Sequence, residues 1–347
     1  MKKLLLSFIV LFIFSITNAY AVKVSSLYQA EIQVASQTED QKEQAVEDGF
    51  LQVLIKLTGD PQIGANPVIR QSMKKADYYV QEYSYLAPTP DASQYLIRIR
   101  YDIDDVNRLL KKAGVAYWGE NRPLLLVWLA ITDGQHNAEI IASEAPGTEY
   151  STMKQQSRKY GIPLIFPIMD MDDMSKVSVN DVSDMTLPVL SEAAKRYSPD
   201  ALLIGNLQKT KTGFAGRWRL VLGNTTFDWM ISDKSVEGEM SAVMNFVSQN
   251  LAKNYVVKTA DTQELTLKLE VTNVTQRDDL AQLVQYLKQL TPVEQVDLAQ
   301  VAGDVVDLSV IVRGSLAGFL KNAAIGQRLV LKSQDDSTNK LVYKWVH

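Results

Sequence analysis

Three apolar runs constrain the fold of this chain more than any other feature; they cover residues 124–131, 164–169 and 201–207, and Asn206 is the one polar residue within them. A strand without polar alternation is buried on both faces, which is typical of a sheet covered by helices on each side. Helical patterns separate the runs, one near residues 151–160 and one around Leu190. This alternation predicts an α/β unit of two or three layers with a mostly parallel sheet.

The same unit continues with a different pattern after the third apolar run. Residues 213–222 and 226–232 are strand-like and closely spaced, which predicts an antiparallel β-meander. A long helix follows, with Met240, Val243 and Val247 on its apolar side. We expect this helix to close the middle unit.

Residues 22–115 have a mixed α and β pattern. Ala30, Ile32 and Val34 alternate with polar neighbours, which predicts a strand with one solvated face. A helical stripe then ends at Gly59, a residue suited to the left-handed conformation that follows a helix. The complete pattern gives the order β-α-(α)-β-β-α and predicts an α+β sandwich.

Residues 259–347 give the order β-α-β-β-α-β, which is the ferredoxin-like order. Leu341, Tyr343 and Trp345 alternate after it and predict an extra strand at the edge of the sheet. Because the first and third units share most of this order, we expect both to be ferredoxin-like sandwiches. Their sequences show no visible identity, so the order alone does not indicate a duplication.

The first 21 residues have the three parts of a secretory signal peptide. Lys2 and Lys3 precede an apolar run at residues 4–16, and Ala19 and Ala21 form a small-x-small cleavage signal. These features predict cleavage after Ala21. The alternative is a membrane anchor, but a spanning helix needs about 20 apolar residues and this run is shorter.

The signal peptide at residues 1–21 is therefore predicted to be followed by three domains, at residues 22–115, 116–258 and 259–347. Cleavage would release the chain into the periplasm of a Gram-negative bacterium. No later segment is as apolar as a membrane span, so we expect at most a peripheral membrane association.

The composition excludes several classes of function. The 347 residues include no cysteine, which rules out disulfides, thiolate metal sites and a cysteine nucleophile. They include two histidines. The formal charge is −4, and removal of the signal peptide with its two lysines makes it −6. An acidic chain without a basic cluster does not attract nucleic acid, so no nucleic-acid partner is expected.

Asp170, Asp172 and Asp173 are the candidates for a metal site. They follow a predicted strand of the α/β unit, where ligands commonly bind, and carboxylate oxygens suit Ca²⁺ or Mg²⁺. Met174 and Ser175 break the EF-hand pattern. The favoured interpretation is an acidic surface loop that continues towards residue 184.

His136 is the one histidine placed where a catalytic triad could use it, in a polar loop after the first buried strand. No nucleophile-elbow pattern accompanies it, and an ordinary loop histidine is favoured. No glycine-rich phosphate loop follows any predicted strand. We therefore predict no catalytic residue and no cofactor.

Tyr83, Trp118 and Trp345 are candidates for a partner-binding surface, because aromatic side chains are frequent anchors at interfaces. The alternative for the tyrosine-rich strands is ordinary cross-strand pairing. For the two tryptophans the alternative is packing between domains.

The strand at residues 28–34 and the phrase Val53-Leu54-Ile55-Lys56-Leu57-Thr58-Gly59 carry a family resemblance. Both are similar to a bacterial exported family known as "domain of unknown function 2066". The resemblance extends over residues 24–250. It implies a location in the cell envelope and assigns no residue roles.

The middle unit has a more general likeness. Residues 198–207, with the meander and helix that follow, resemble the small α/β domains of periplasmic assembly proteins. These include the N-terminal domain of the Tol propeller protein, flagellar outer-ring proteins and curli-secretion proteins. The resemblance implies binding of other envelope proteins rather than catalysis.

These observations predict a non-enzymatic envelope protein, a scaffold or adaptor for periplasmic or outer-membrane components. One alternative is a carrier for a lipid or glycan fragment, bound between the first and second domains where the tyrosine-rich strands would line a cleft. A second alternative is a metal-dependent hydrolase that uses residues 170–173.

Overall fold

The computed structural model describes residues 26–86, 95–133, 138–145, 147–256, 264–335 and 337–346. The fold is mixed α and β, with three separate sheets, as the sequence predicts. The predicted signal peptide, its cleavage site after Ala21, and His136 lie outside the described residues.

The first sheet is antiparallel and has the strand order β1-β3-β2. Ala30 and Val34 of its first strand are buried against the first helix, as their alternation predicts. This unit consists of β1 (Gln29–Val34), α1 (Glu39–Thr58), α2 (Pro67–Met73), β2 (Val80–Leu86), β3 (Tyr95–Tyr101) and α3 (Ile103–Lys112).

Helices cover both faces of the middle sheet. Alternate residues of the strand Leu125–Thr132 enter two cores, Leu125 and Val127 on one face and Leu126 and Trp128 on the other. The elements are β4 (Leu125–Thr132), β5 (Ala138–Ile140), α4 (Thr148–Tyr160), β6 (Leu164–Ile165), α5 (Met171–Lys176), α6 (Val179–Ser183), α7 (Leu187–Ala194), β7 (Ala201–Thr210), β8 (Gly213–Leu222), β9 (Thr225–Asp233) and α8 (Val236–Tyr255).

The middle sheet is mixed, so the prediction of a mostly parallel sheet is wrong. Strand β4 pairs in parallel with β6 and β7, whereas β5, β8 and β9 pair antiparallel to their neighbours. The connections of β7 to β8 and of β8 to β9 are short turns, and such turns join only antiparallel strands. The predicted strand at residues 164–169 is reduced to β6, and Pro167 has no N–H to continue it.

The third unit also differs from its predicted order. The strand that contains Leu341, Tyr343 and Trp345 is interior, parallel to the first strand of the unit, and not at the edge. All three side chains are buried, which an interior strand permits. The elements are β10 (Glu264–Thr272), α9 (Arg277–Gln289), β11 (Val293–Ala302), β12 (Val305–Arg313), α10 (Leu316–Ala323), β13 (Leu329–Asp335) and β14 (Lys340–Trp345), in the sheet order β11-β12-β10-β14-β13.

Two glycines allow the first unit to pack closely on the middle unit. Gly59 ends α1 with a φ of 67°, and a Cβ placed there would lie 2.4 Å from the Cβ of Ala252 in α8. Gly161 ends α4 with a φ of 63°, and its Cβ would lie 2.7 Å from Leu27. The end of α1 is thus held against two helices of the middle unit.

The segment between β4 and the first unit carries a buried cation. Arg122 is 1% exposed and donates hydrogen bonds to the carbonyl oxygens of Lys56 (2.7 Å), Trp118 (2.9 Å) and Gly119 (3.0 Å). Its guanidinium lies 3.9 Å from the centre of the Trp118 ring. The linker is therefore bonded to the end of α1.

Polar contacts join the third unit to the same junction. Asp200 accepts hydrogen bonds from the backbone N–H of Leu124 (2.8 Å) and of Gly326 (2.9 Å). The side chain of Asn121 donates to the carbonyl of Asn322 at 3.2 Å. Sequence-distant parts of the chain therefore meet around residues 118–124.

The glycine contact predicts a difference between two alanine substitutions. Gly59→Ala and Gly114→Ala both place a side chain at a positive φ, but Gly114 has no atom within 4 Å of the added Cβ. Both should lose about 1 kcal/mol to backbone strain, and Gly59→Ala should lose about 2 kcal/mol more through overpacking. Urea unfolding followed by circular dichroism measures both losses, and equal losses would contradict a close contact at Gly59.

Candidate functional site

The three predicted metal-site carboxylates surround an arginine. Arg196 binds Asp170 through both guanidinium nitrogens (2.8 and 2.9 Å) and also contacts Asp173 (3.1 Å) and Asp172 (3.3 Å). Asp170 is the N-cap of α5, and its side chain accepts from the N–H of Asp173. The Tyr197 hydroxyl donates to Asp173, which is fully buried. The sequence analysis missed both Arg196 and Tyr197.

The electrostatics of this cluster follow from its ion pairs. Hydrogen bonds from Arg196 hold the pKa of Asp170 well below its usual range, and the same pairing raises the pKa of the Arg196 guanidinium. Burial and the bond to Asp173 raise the pKa of Tyr197 to about 12. Asp170 caps α5, and a separate capping box of Ser178 and Asp181 begins α6, so two short helices stand where the sequence predicts an acidic loop. Within the described ranges no group of three His, Cys, Asp or Glu side chains could hold a metal ion.

The structure corrects two of the three residues predicted for a partner surface. Trp118 and Trp345 are fully buried, the first stacked on Tyr255 and the second packed against Tyr286 and Arg328. Trp118 lies in the core of the middle unit and Trp345 in the core of the third unit, so for Trp345 the alternative of packing between domains is wrong as well.

Tyr83 lies in the outer strand β2 and is 49% exposed. Its ring packs edge-on against Tyr85, and the ammonium of Lys42 lies 5.5 Å from its centre. Tyr83 is thus accessible, and its role in partner binding stays a prediction.

A cleft of about 710 Å³ lies between the first unit and the middle unit. Its position matches the predicted cleft between the first and second domains. The tyrosines of β2 and β3 do not line it, and these two strands contribute Leu96 alone. The cleft is bounded by Ser26, by Gln29, Glu31, Ile32 and Gln33 of β1, by Asp48, Leu51, Gln52, Ile55 and Lys56 of α1, by Leu96, by Gln155, Gln156, Arg158, Lys159 and Tyr160 of α4, and by Ser241 of α8.

Lys56 is a buried cation among the residues that line this cleft. Its ammonium donates to the carbonyl oxygens of Gln29 (2.6 Å) and Ser26 (3.3 Å). Burial lowers the pKa of Lys56 to about 8; Glu31 opposes this effect and Arg122 adds to it. In the sequence, Lys56 stands out only as part of the family phrase at residues 53–59. The pattern of one helix does not show which carbonyl groups its ammonium contacts.

The remaining charged groups of the cleft differ in whether they have partners. Glu31 pairs with Arg98 across the sheet, and Asp48 accepts from Gln44, so both carboxylates are engaged. Arg158 and Lys159 form no ion pair with the part of the chain that the structure describes. The cleft therefore presents cations on its α4 wall.

One buried polar atom in the cleft is unsatisfied. The side-chain oxygen of Gln52 is buried and has no hydrogen-bond partner among the described residues. A buried acceptor without a partner costs about 1–3 kcal/mol, so such groups are commonly satisfied by a ligand or water. The cleft can thus hold a polar ligand that donates to Gln52.

Comparisons with known proteins leave the function open. A family model described as "Domain of unknown function (DUF8605)" matches residues 21–119. No curated protein matches the chain. In the described ranges, no helix has the length and apolar character that a membrane crossing requires.

Two solved structures show weak likeness. A formyltetrahydrofolate deformylase from Pseudomonas putida KT2440 is 10% identical, with 55% of this chain and 88% of that chain covered and a TM-score of 0.14. An allophanate hydrolase from Kluyveromyces lactis is 8% identical, with coverage of 73% and 62% and a TM-score of 0.16. At these TM-scores neither likeness supports an inference about fold or function.

The buried ammonium of Lys56 predicts a pH-dependent stability. In the unfolded chain this group titrates near pH 10.4, so between pH 8 and that value the unfolded state binds more protons and the folded state gains stability as pH rises. From pH 7 to 9.5 the gain should be about 2 kcal/mol, and Lys56→Met should lack it. Urea unfolding at each pH measures the gain, with exposed Lys111→Met as a control that keeps it. A gain that persists in Lys56→Met would contradict the assignment.

The arginine cluster predicts a second pH dependence of stability, of the same sign as that of Lys56 but in the acid range. Because the pKa of Asp170 is lowered on folding, its pairing contributes stability above about pH 4 that is lost as the pH falls below that value. Arg196→Met should therefore flatten the acid limb of the stability profile. Lys195→Met, which removes only an exposed pair with Glu192, is the matched control. Identical acid limbs in the wild type and Arg196→Met would show that the cluster does not contribute.

Proposed function

We propose that this chain is a non-enzymatic, exported binding protein that acts as a scaffold or adaptor for other envelope proteins. The cleft between β1, α1 and α4 is the observation that supports this proposal. It is within the size range of ligand sites, and its wall presents Arg158 and Lys159, which have no ion-pair partners in the described part of the chain. A partially apolar cleft with unpaired cations suits a polypeptide segment that carries carboxylates.

The proposed architecture has three small domains after the signal peptide, with the boundaries predicted above. The first and third are proposed as ferredoxin-like sandwiches, each modified. Support comes from their sheet orders, in which the third strand lies between the first and the second in both units. In this proposal the middle domain, covered on both faces, provides the α4 wall of the cleft.

The proposed location is the periplasm, as the lysines, apolar run and small residues before residue 22 predict. After cleavage the protein would at most associate peripherally with a membrane. The resemblance to exported envelope families supports the same location.

A lipid or glycan carrier is the second candidate. The side-chain amides of Gln29, Gln33, Gln52 and Gln155, with the ring of Tyr160, favour a glycan fragment over an acyl chain. Native mass spectrometry of the purified protein distinguishes the two functions, since a carrier should retain a ligand of defined mass. A metal-dependent hydrolase has less support, because Asp170, Asp172 and Asp173 are bonded to Arg196.

Crosslinking in living cells tests the adaptor proposal. Benzoyl-phenylalanine at Gln155, an exposed cleft position, should capture a defined envelope protein. Probes at Tyr83 and Asp172 report on surfaces outside the cleft and are the matched controls. Recovery of the same protein from Gln155 alone supports the proposal, and no capture at Gln155 would overturn it.

A further inference from the structure

The outer edge of β1 presents backbone groups to the cleft. The Tyr28 carbonyl accepts from the N–H of Tyr101 in the β3 ladder, and hydrogen-bonded positions alternate along an antiparallel pair. Ala30, Ile32 and Val34 therefore bond to β3, while the N–H and C=O groups of Glu31 and Gln33 point away from it. Among the described residues β1 pairs with β3 alone.

The regularity of β1 distinguishes it from most other outer strands. Sheet edges are commonly protected by bulges, and register shifts interrupt β2, β11 and β13. Among outer strands longer than three residues, β1 and β9 have an unbroken register. Of these two, β1 lies along the cleft, so an added strand there would contact walls on both sides.

The topology leaves a strand position open at this edge. In a complete β-α-β-β-α-β sandwich, the strand after the second helix pairs with the first strand. Here α3 ends at Lys112 and the chain continues into the linker, where the N–H of Trp118 bonds to the carbonyl of Leu57. The cleft thus occupies the place of the fourth strand.

The walls of the cleft specify the chemistry of an added strand. Ile32, Leu51 and Ile55 are half-buried and form an apolar floor beneath the edge. Arg158 and Lys159 face it from α4. Building on the adaptor function proposed above, we propose that an extended segment of a partner protein adds to β1 as the missing strand, with apolar side chains on the floor and a carboxylate near Arg158 and Lys159.

The residues directly before Ser26 are the competing occupant. Residues 22–25, Val-Lys-Val-Ser, lie outside the described residues, and their sequence carries a cation and no carboxylate. Lys23 would add positive charge beside Arg158 and Lys159. Charge complementarity therefore favours a partner segment with an acidic side chain.

A tethered peptide tests the strand addition directly. Because the chain has no cysteine, Asp48→Cys gives a single attachment point. Asp48 and Lys56 both line the cleft and lie about two turns apart on α1. A disulfide-linked probe, acetyl-Cys-Gly-Gly-Val-Thr-Val-Glu-Val-amide, would be held there at about millimolar effective concentration. The control probe has alternate amides N-methylated and cannot form a ladder.

Hydrogen exchange of the Glu31 and Gln33 amides, measured by mass spectrometry, is the readout. The unmethylated probe should slow exchange at both by at least tenfold, and the methylated probe should not. Glu31→Pro removes an outward N–H without removing a β3 bond and should abolish protection at Gln33, whereas Glu31→Thr should keep it. Equal exchange with both probes would overturn the inference. The Glu31 and Gln33 amides could instead be protected without any probe and lose that protection when residues 22–25 are deleted. That result would show that residues 22–25, and not a partner segment, occupy the edge of β1.

Crosslinking at Gln155 in the Glu31→Pro variant separates this inference from the adaptor proposal. Capture that persists in Glu31→Pro would leave the adaptor proposal standing and overturn strand addition. Probe-induced protection of Glu31 and Gln33 with no capture at Gln155 in the otherwise unaltered chain would support the strand position and overturn the adaptor. Capture that is lost in Glu31→Pro and kept in Glu31→Thr supports both.

Discussion

The Arg122 guanidinium is the interaction on which the arrangement of the first two units depends. Burial of a cation is costly unless hydrogen bonds satisfy it, and three carbonyl oxygens and the Trp118 ring surround this one. One of these carbonyls belongs to Lys56 at the end of α1. The linker therefore fixes the position of α1, and through α1 the separation of β1 from α4, which sets the width of the cleft.

Lys56 connects this junction to the edge of the first sheet. Its carbonyl accepts from Arg122 while its ammonium donates to the carbonyls of Ser26 and Gln29. At Gln29 the backbone N–H donates to Ser26 and the carbonyl accepts from Lys56, so both groups of Gln29 already have partners, whereas the edge is open at Glu31 and Gln33. Lys56 thus holds the two units together and limits the length of exposed edge.

The sequence predicts most elements but not the features that join them. Local periodicity correctly indicates α1, α8 and β12, because each buries one face of a regular pattern, and the turn at Gly303 correctly indicates the β11–β12 hairpin although β11 is largely exposed. Trp118 and Trp345 were predicted at a surface since composition alone does not show what packs against an aromatic ring. The carboxylates of the Asp170 cluster were recognised, but Arg196, which is distant in sequence, determines what they do. Contacts of this kind arise from tertiary packing and leave no local pattern.

The first and third sheets differ in what lies beside their first strand. In the third unit the place beside the first strand, β10, is filled by β14 of the same chain, and this strand buries Leu341, Tyr343 and Trp345. In the first unit the corresponding place beside β1 is the cleft, and Ile32, Leu51 and Ile55 beneath it are only half-buried. Apolar burial is the main driving force for strand addition at such a site, since exposed edge groups already bond to water. In the third unit the chain itself thus fills the position beside its first strand, and the proposed partner strand would fill the position beside β1 with a similar alternation of apolar side chains.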